Sequence, residues 1–107
     1  MNEYPPNWKA IATRIKDAAG WKCERCGHPH DVEAGRCLTV HHLTEEKWQC
    51  EDWNLAALCQ RCHLIIQGRV RFLNDYWLPH SAWMLPHVLG YNAWAARNGK
   101  PLLTVAT

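Results

Sequence analysis

Two cysteine pairs, Cys23-Glu24-Arg25-Cys26 and Cys59-Gln60-Arg61-Cys62, carry the clearest chemistry in the sequence. A two-residue gap lets both sulfurs of a pair reach one ion, and two pairs supply the four soft ligands that tetrahedral zinc prefers. The matched spacing predicts one structural zinc held by Cys23, Cys26, Cys59 and Cys62. Residues 27–58 exceed the loop of a minimal zinc ribbon, so something is built between the pairs and the zinc ties its ends together. His63 follows the second pair directly, although a four-cysteine site has no need of it. His41 and His42 lie upstream as an adjacent pair, with Asn54 between them and His63. Cys37 and Cys50 are left over and are expected to be small buried hydrophobes rather than a disulfide. His28 and His30, beside the first pair, are expected to be loop residues because the cysteines already complete a zinc shell.

A short run of elements must position these groups. Residues 5–19 place Trp8, Ile11, Ala12, Ile15 and Ala19 at helical spacing, and Gly20 is a natural stop. Residues 21–36 are rich in turn formers. The β-branched run "CLTVHHL" reads as a strand, "TEEKWQCED" as a polar loop, and "WNLAAL" as a second strand opened by Asn54. "CQRCHLIIQGRVRF" then reads as a helix with Gly68 as a break, followed by a loop around "WLPHS". A last helix covers 86–98, with proline at its start and Gly99 just beyond its end. The middle of the chain is thus strand, loop, strand, helix.

That order gives His63 a context. Neighbouring side chains on a strand point to opposite faces, so one of His41 and His42 faces the helix that carries His63 and the other faces outward. Imidazoles from strand and helix can share a second metal with open positions for water or phosphate. The outward histidine can deprotonate a water, since an unperturbed pKa near ~6.5 suits work at neutral pH. Cys62 holds the helix, and His63, one position on, projects in a different direction. Two imidazole ligands suit Mn, Co, Ni or Zn, whereas Mg prefers oxygen and would rely on phosphate and water.

Composition sets the frame for this chemistry. A chain of 107 residues is one domain over 1–107, small enough that a metal staple would help it fold. A net charge of +2 permits nucleic acid without announcing it. The seven tryptophans are expected to fill the core, with a few available to stack on bases. The N-terminal stretch has no apolar signal region, and no run approaches the ~20 apolar residues of a membrane span. An intracellular location with no membrane partner is expected, and there six cysteines point to metal before disulfides.

From Cys23 to about Arg69, through "LTVHHL", "WNLAALCQRCHLIIQGR" and both cysteine pairs, the sequence resembles the HNH endonuclease family and its small phage-type members. The resemblance implies an α+β fold: a zinc-stapled ββα-metal core over about 21–71 with flanking N- and C-terminal helices. It implies that His41 and His63 bind a catalytic divalent metal, that His42 is the general base, and that Asn54 holds the base's loop through backbone hydrogen bonds. The implied activity is hydrolysis of DNA phosphodiesters, by nicking or double-strand cleavage, leaving 5′-phosphate and 3′-hydroxyl ends. Arg61, Arg69 and Arg71 are candidates to position phosphates, and Gln67, one turn beyond His63, to touch the DNA backbone. A homodimer or phage packaging proteins are candidate partners, and a phage-encoded chain would work in the cytoplasm of a bacterial host. Two other readings stay open. One is a non-catalytic zinc module that binds nucleic acid or protein, which leaves His41, His42, Asn54 and His63 without a task. The other is an accessory subunit of a phage DNA-packaging assembly.

Overall fold

A computed structural model describes residues 3–44, 46–66 and 82–103. Two short strands, β1 (Leu38–His42) and β2 (Leu55–Cys59), pair antiparallel with Leu38 opposite Cys59 and His42 opposite Leu55. Helix α1 (Trp8–Ala18) packs against both strands, as does α2 (Gln60–Ile66), which follows β2 directly. Helix α3 (Leu85–Asn98) packs on a 3-10 turn at Asp52–Asn54, just ahead of β2. The result is a small mixed α/β chain around a two-stranded sheet. Among the described residues no helix is long and apolar enough to cross a membrane.

Every residue of β2 is buried, whereas Thr39 and Val40 of β1 are half-buried. The sheet is therefore a wall inside the core rather than a face to solvent, which suits the run Leu55-Ala56-Ala57-Leu58. Helix α1 buries Ile15, with Trp8, Ile11 and Ala19 packed beside it, which matches the spacing of its apolar positions. It starts at Trp8 rather than at residue 5, since Pro6 disfavours helical backbone at Pro5 before it.

Helix α3 turns Val88, Tyr91 and Ala95 inward, opens with Pro86 in its first turn and closes on Gly99 at φ 65°. The left-handed backbone at Gly99 is open to glycine at little steric cost, so the helix ends there. Gly90 serves a different purpose. A Cβ there would come within 3.0 Å of the Trp53 Cβ, so the missing side chain lets α3 lie close on the turn.

Asn54 does not open the second strand as the sequence predicts. It closes the 3-10 turn instead, and β2 begins at Leu55. Asparagine side chains compete for nearby backbone groups, which favours turns over strand interiors. The expected break at Gly68, the end of the helix through residue 72 and the loop around "WLPHS" lie outside the described residues.

The first cysteine pair is fastened to β2 through Glu24. Its backbone N–H donates to the Ala57 carbonyl at 2.9 Å, and its carboxylate accepts from the Ala57 N–H at 2.5 Å. The other carboxylate oxygen lies 2.7 Å from His87 Nε2, and His87 Nδ1 lies 3.0 Å from the Trp53 carbonyl. One glutamate between two cysteines thus joins the pair, the sheet and α3.

Candidate metal centre and histidine site

The Sγ atoms of Cys23, Cys26, Cys59 and Cys62 all lie within 4.8 Å of one another. Cys23, Cys59 and Cys62 are buried, and Cys26 is exposed at the rim. The first pair sits on a turn whose Gly27 N–H returns to the Cys23 carbonyl, and the second spans the β2–α2 junction. Arg36 donates to Cys26 and Cys59 at 3.4 and 3.7 Å, and Arg25 donates to Cys62 at 3.4 Å. Guanidinium groups this close favour ionised sulfur. Burial, the largest influence, and hydrogen bonding to the other cysteines push Cys62 up to about 12. Burial also works against Cys59, but hydrogen bonds from the Cys62 backbone and from the Cys62, Arg36 and Cys26 side chains hold it down to about 6. Four sulfurs converging this closely are a donor set that fits a soft cation such as zinc.

The histidines form a separate site. His41 Nδ1 and His63 Nε2 face each other at 3.1 Å, with ring centroids 4.7 Å apart. The strand alternation puts Thr39 and His41 on the α2 side of β1, and Thr39 completes the arrangement. Its hydroxyl donates to the Leu58 carbonyl at 2.7 Å and lies 2.9 Å from His63 Nδ1. A hydroxyl has one hydrogen. With that hydrogen given to Leu58, His63 Nδ1 must be the donor to Thr39, which leaves the lone pair of His63 Nε2 directed at His41. Burial, then the neighbouring charges of His63 and His42, lower the His41 pKa to about 4. Burial lowers that of His63 as well. Both rings are therefore neutral near pH 7, the form that binds a metal. Among the described residues, the cysteine cluster is the group in which three or more cysteine, histidine or carboxylate ligand atoms converge, so the histidine pair supplies two donors.

His42 does not face outward, as strand alternation alone predicts. It is 5% exposed, because the N-terminal segment covers the face of the sheet to which it points. Trp8 lies over its ring at a centroid distance of 4.8 Å, and Tyr4 lies 5.7 Å away. The ring is hydrogen-bonded to the Lys47 backbone, and Cys50 Sγ lies 3.7 Å from Nε2. Burial lowers the His42 pKa, opposed by the Lys47 backbone bond and helped by the Lys47 charge.

Asn54 is fully buried and staples the segment after β1. Its Nδ2 donates to the Gln49 carbonyl at 2.7 Å, and its Oδ1 accepts from the Thr44 N–H at 2.9 Å. Its own carbonyl accepts from the Leu43 N–H at 2.8 Å. Three bonds from one residue thus fix both ends of the loop that touches His42.

Arg61 is exposed on α2. Gln67, Arg69 and Arg71 lie outside the described residues. Cys37 and Cys50 are half-buried free thiols rather than buried ones, since each lies at an edge of the sheet or its loop. His28 is half-buried and contacts the Pro29 carbonyl, while His30 Nδ1 accepts the Leu38 N–H at 2.9 Å and so caps the start of β1. Sequence reasoning missed Thr39, Tyr4, Arg25 and Arg36. Only Thr39 left a usable trace: two positions before His41, it shares that residue's side of the strand.

No protein-family model and no solved structure matches the chain. The Zorya protein ZorE of Escherichia coli is 35% identical over 60 residues, which is 56% of this chain and 16% of ZorE. The chain therefore spans less than a fifth of the length of the curated relative it matches, and its likeness to ZorE is one of a segment.

Proposed function

We propose that the chain is a metal-dependent HNH-type endonuclease acting on DNA, with β1, β2 and α2 as its ββα-metal core. The observation that carries this reading is the His41–His63 pair. Two neutral imidazoles from a strand and a helix meet at 3.1 Å, next to a cysteine cluster to which neither belongs. Cys23, Cys26, Cys59 and Cys62 would hold a structural zinc that fixes the β2–α2 junction. His41 and His63 would hold a divalent ion such as Mn, Ni, Co, Mg or Zn, which supplies charge stabilisation at the scissile phosphate.

The chain's own residues account for the rest of the step. His42, neutral near pH 7, accepts a proton from water as the water oxygen attacks phosphorus in line. The bond from phosphorus to the 3′-oxygen breaks, and that oxygen takes a proton from solvent water to become the 3′-hydroxyl. The Lys47 backbone bond orients the His42 ring, and Asn54 keeps the loop in place. Thr39 fixes the His63 tautomer, so that Nε2 would be the nitrogen available to the ion. Arg61, with Gln67, Arg69 and Arg71, is proposed to contact the DNA backbone.

A non-catalytic zinc module that binds nucleic acid is the second reading, and the low exposure of His42 favours it. Incubating the protein with supercoiled plasmid, with and without Mn, Ni or Mg, separates the two. The nuclease yields nicked or linear DNA only with added metal, and His42→Ala does not. Plasmid left intact under all metals would favour the binding module.

A further inference from the structure

Two aromatic side chains from ahead of the first cysteine pair sit on the candidate base. Tyr4 and Trp8 stack at 4.9 Å between centroids, with their planes 26° apart. Trp8 in turn lies 4.8 Å from His42 at 31°, and Tyr4 lies 5.7 Å from it. The Lys47 ammonium stands 4.9 Å from the Tyr4 ring centre, so the loop that bonds the edge of His42 also meets the far end of this cluster. Trp8 opens α1, which packs on β1, so a helix holds the indole against the strand rather than a loose terminus.

Core packing alone is a poor account of this cluster. Tyr4 is 49% exposed and Trp8 only half-buried at the edge of the core, and both rings also lie against the histidine. A histidine ring turns about a broad, roughly two-fold terminal torsion. The Lys47 backbone bond and the Cys50 thiol hold edge atoms of His42, which leaves the ring able to tilt about that edge. An indole against the face removes the tilt. Edge and face contacts together define one ring plane.

We propose that Trp8, backed by Tyr4, is a positioning residue that holds the His42 ring in the plane from which it accepts a proton from water. The proposal rests on the nuclease reading above. It makes the segment ahead of Cys23 a working part of the site.

Full-length Trp8→Phe and Trp8→Leu test it, because both keep an apolar side chain but only phenylalanine keeps a flat face. A misplaced catalytic group costs on the order of 10²-fold, so Trp8→Leu should lower kcat by roughly that factor with KM unchanged. Trp8→Phe should recover most of the rate, and Tyr4→Leu should lower it less than Trp8→Leu does. Zinc content and melting temperature, measured on the same samples, identify any variant that loses rate by unfolding. The second readout does not depend on cleavage. The His42 ring protons should show an aromatic ring-current shift by NMR in the wild type and Trp8→Phe, and lose it in Trp8→Leu.

Wild-type protein that leaves plasmid intact with every metal overturns the nuclease reading, and this proposal with it. An active wild type whose Trp8→Leu variant keeps its kcat overturns this proposal alone. So does a loss confined to KM, which would make Trp8 a substrate contact. A rise in kcat would make the pair a cover over His42 and overturn it equally.

Discussion

The cysteine cluster and the histidine pair share a chain junction, with Cys62 in one and His63 in the other, yet they are held in opposite ways. Four sulfurs converge from two local turns, with two arginines close by, and their mutual approach leaves no need for a further ligand. The histidine site has two ring nitrogens, brought together by strand alternation and by one hydroxyl on the strand. The first arrangement is complete in itself and suits a permanent ion. The second is incomplete and suits an ion that shares its shell with substrate or water. A single helix start can therefore serve a closed site and an open one, because consecutive helical residues project about 100° apart.

The sharpest way to break this contrast is through the cysteines. Structural zinc in small domains supplies roughly 10–16 kcal/mol of apparent binding energy, more than a chain of this size holds in reserve. Cys59→Ser should therefore lose the tightly held zinc and unfold cooperatively, as read by elemental analysis and circular dichroism. A variant that keeps both its zinc and its melting temperature would contradict the pairing of the two cysteine turns.

His42→Ala should act on rate and not on the fold. A general base contributes typically ~10²–10⁴ in rate, so single-turnover cleavage should fall by that factor while zinc and DNA binding persist. Cleavage near the wild-type rate would remove His42 from its role.

Thr39→Val keeps the shape of the side chain but deletes the hydroxyl that sets the His63 tautomer. Partners of ligating histidines are worth about 10–100-fold in metal affinity, so titration with Mn or Ni should show that loss at the open site. The cysteine-bound zinc should be unaffected. Equal weakening of both sites would mean that they are not separate.

A smaller effect is expected at the tie between the cysteine cluster and α3. His87→Ala removes the ring that contacts both a Glu24 oxygen and the Trp53 carbonyl, at a cost of about 1–2 kcal/mol. Denaturant midpoints should fall accordingly while the zinc stays bound. An unchanged midpoint would show that the contact adds nothing to stability.

The same contrast explains what could be read from the sequence. Ligand spacing within a cysteine pair is a local property, so the convergence of Cys23, Cys26, Cys59 and Cys62 follows from two short stretches of chain. That one of His41 and His42 faces α2 follows from strand alternation, which is also local, and the choice of His41 comes from the HNH resemblance. The cover over His42 is not local, because Trp8 and His42 are brought together by the packing of α1 on β1. The spacing of Trp8 with Ile11 and Ile15 marks a core-facing helix, and nothing in that spacing names the side chain it meets. Asn54 was legible as a residue with a task but not as part of a turn, because "WNLAAL" has the apolar run of a strand throughout. Its carbonyl and amide bonds to Leu43, Thr44 and Gln49 exist only once the loop has closed.

The central claim is that His63 belongs to a different site from Cys62, and the metal content of His63→Ala tests it most directly. Elemental analysis and circular dichroism should find the fold and about one zinc per chain retained, since all four cysteines are intact. Cleavage should be absent and not restored by added Mn or Ni, whereas chelated wild-type protein should recover with either metal. Loss of the zinc from His63→Ala would place this histidine within the cysteine site and leave the open site without its second ligand.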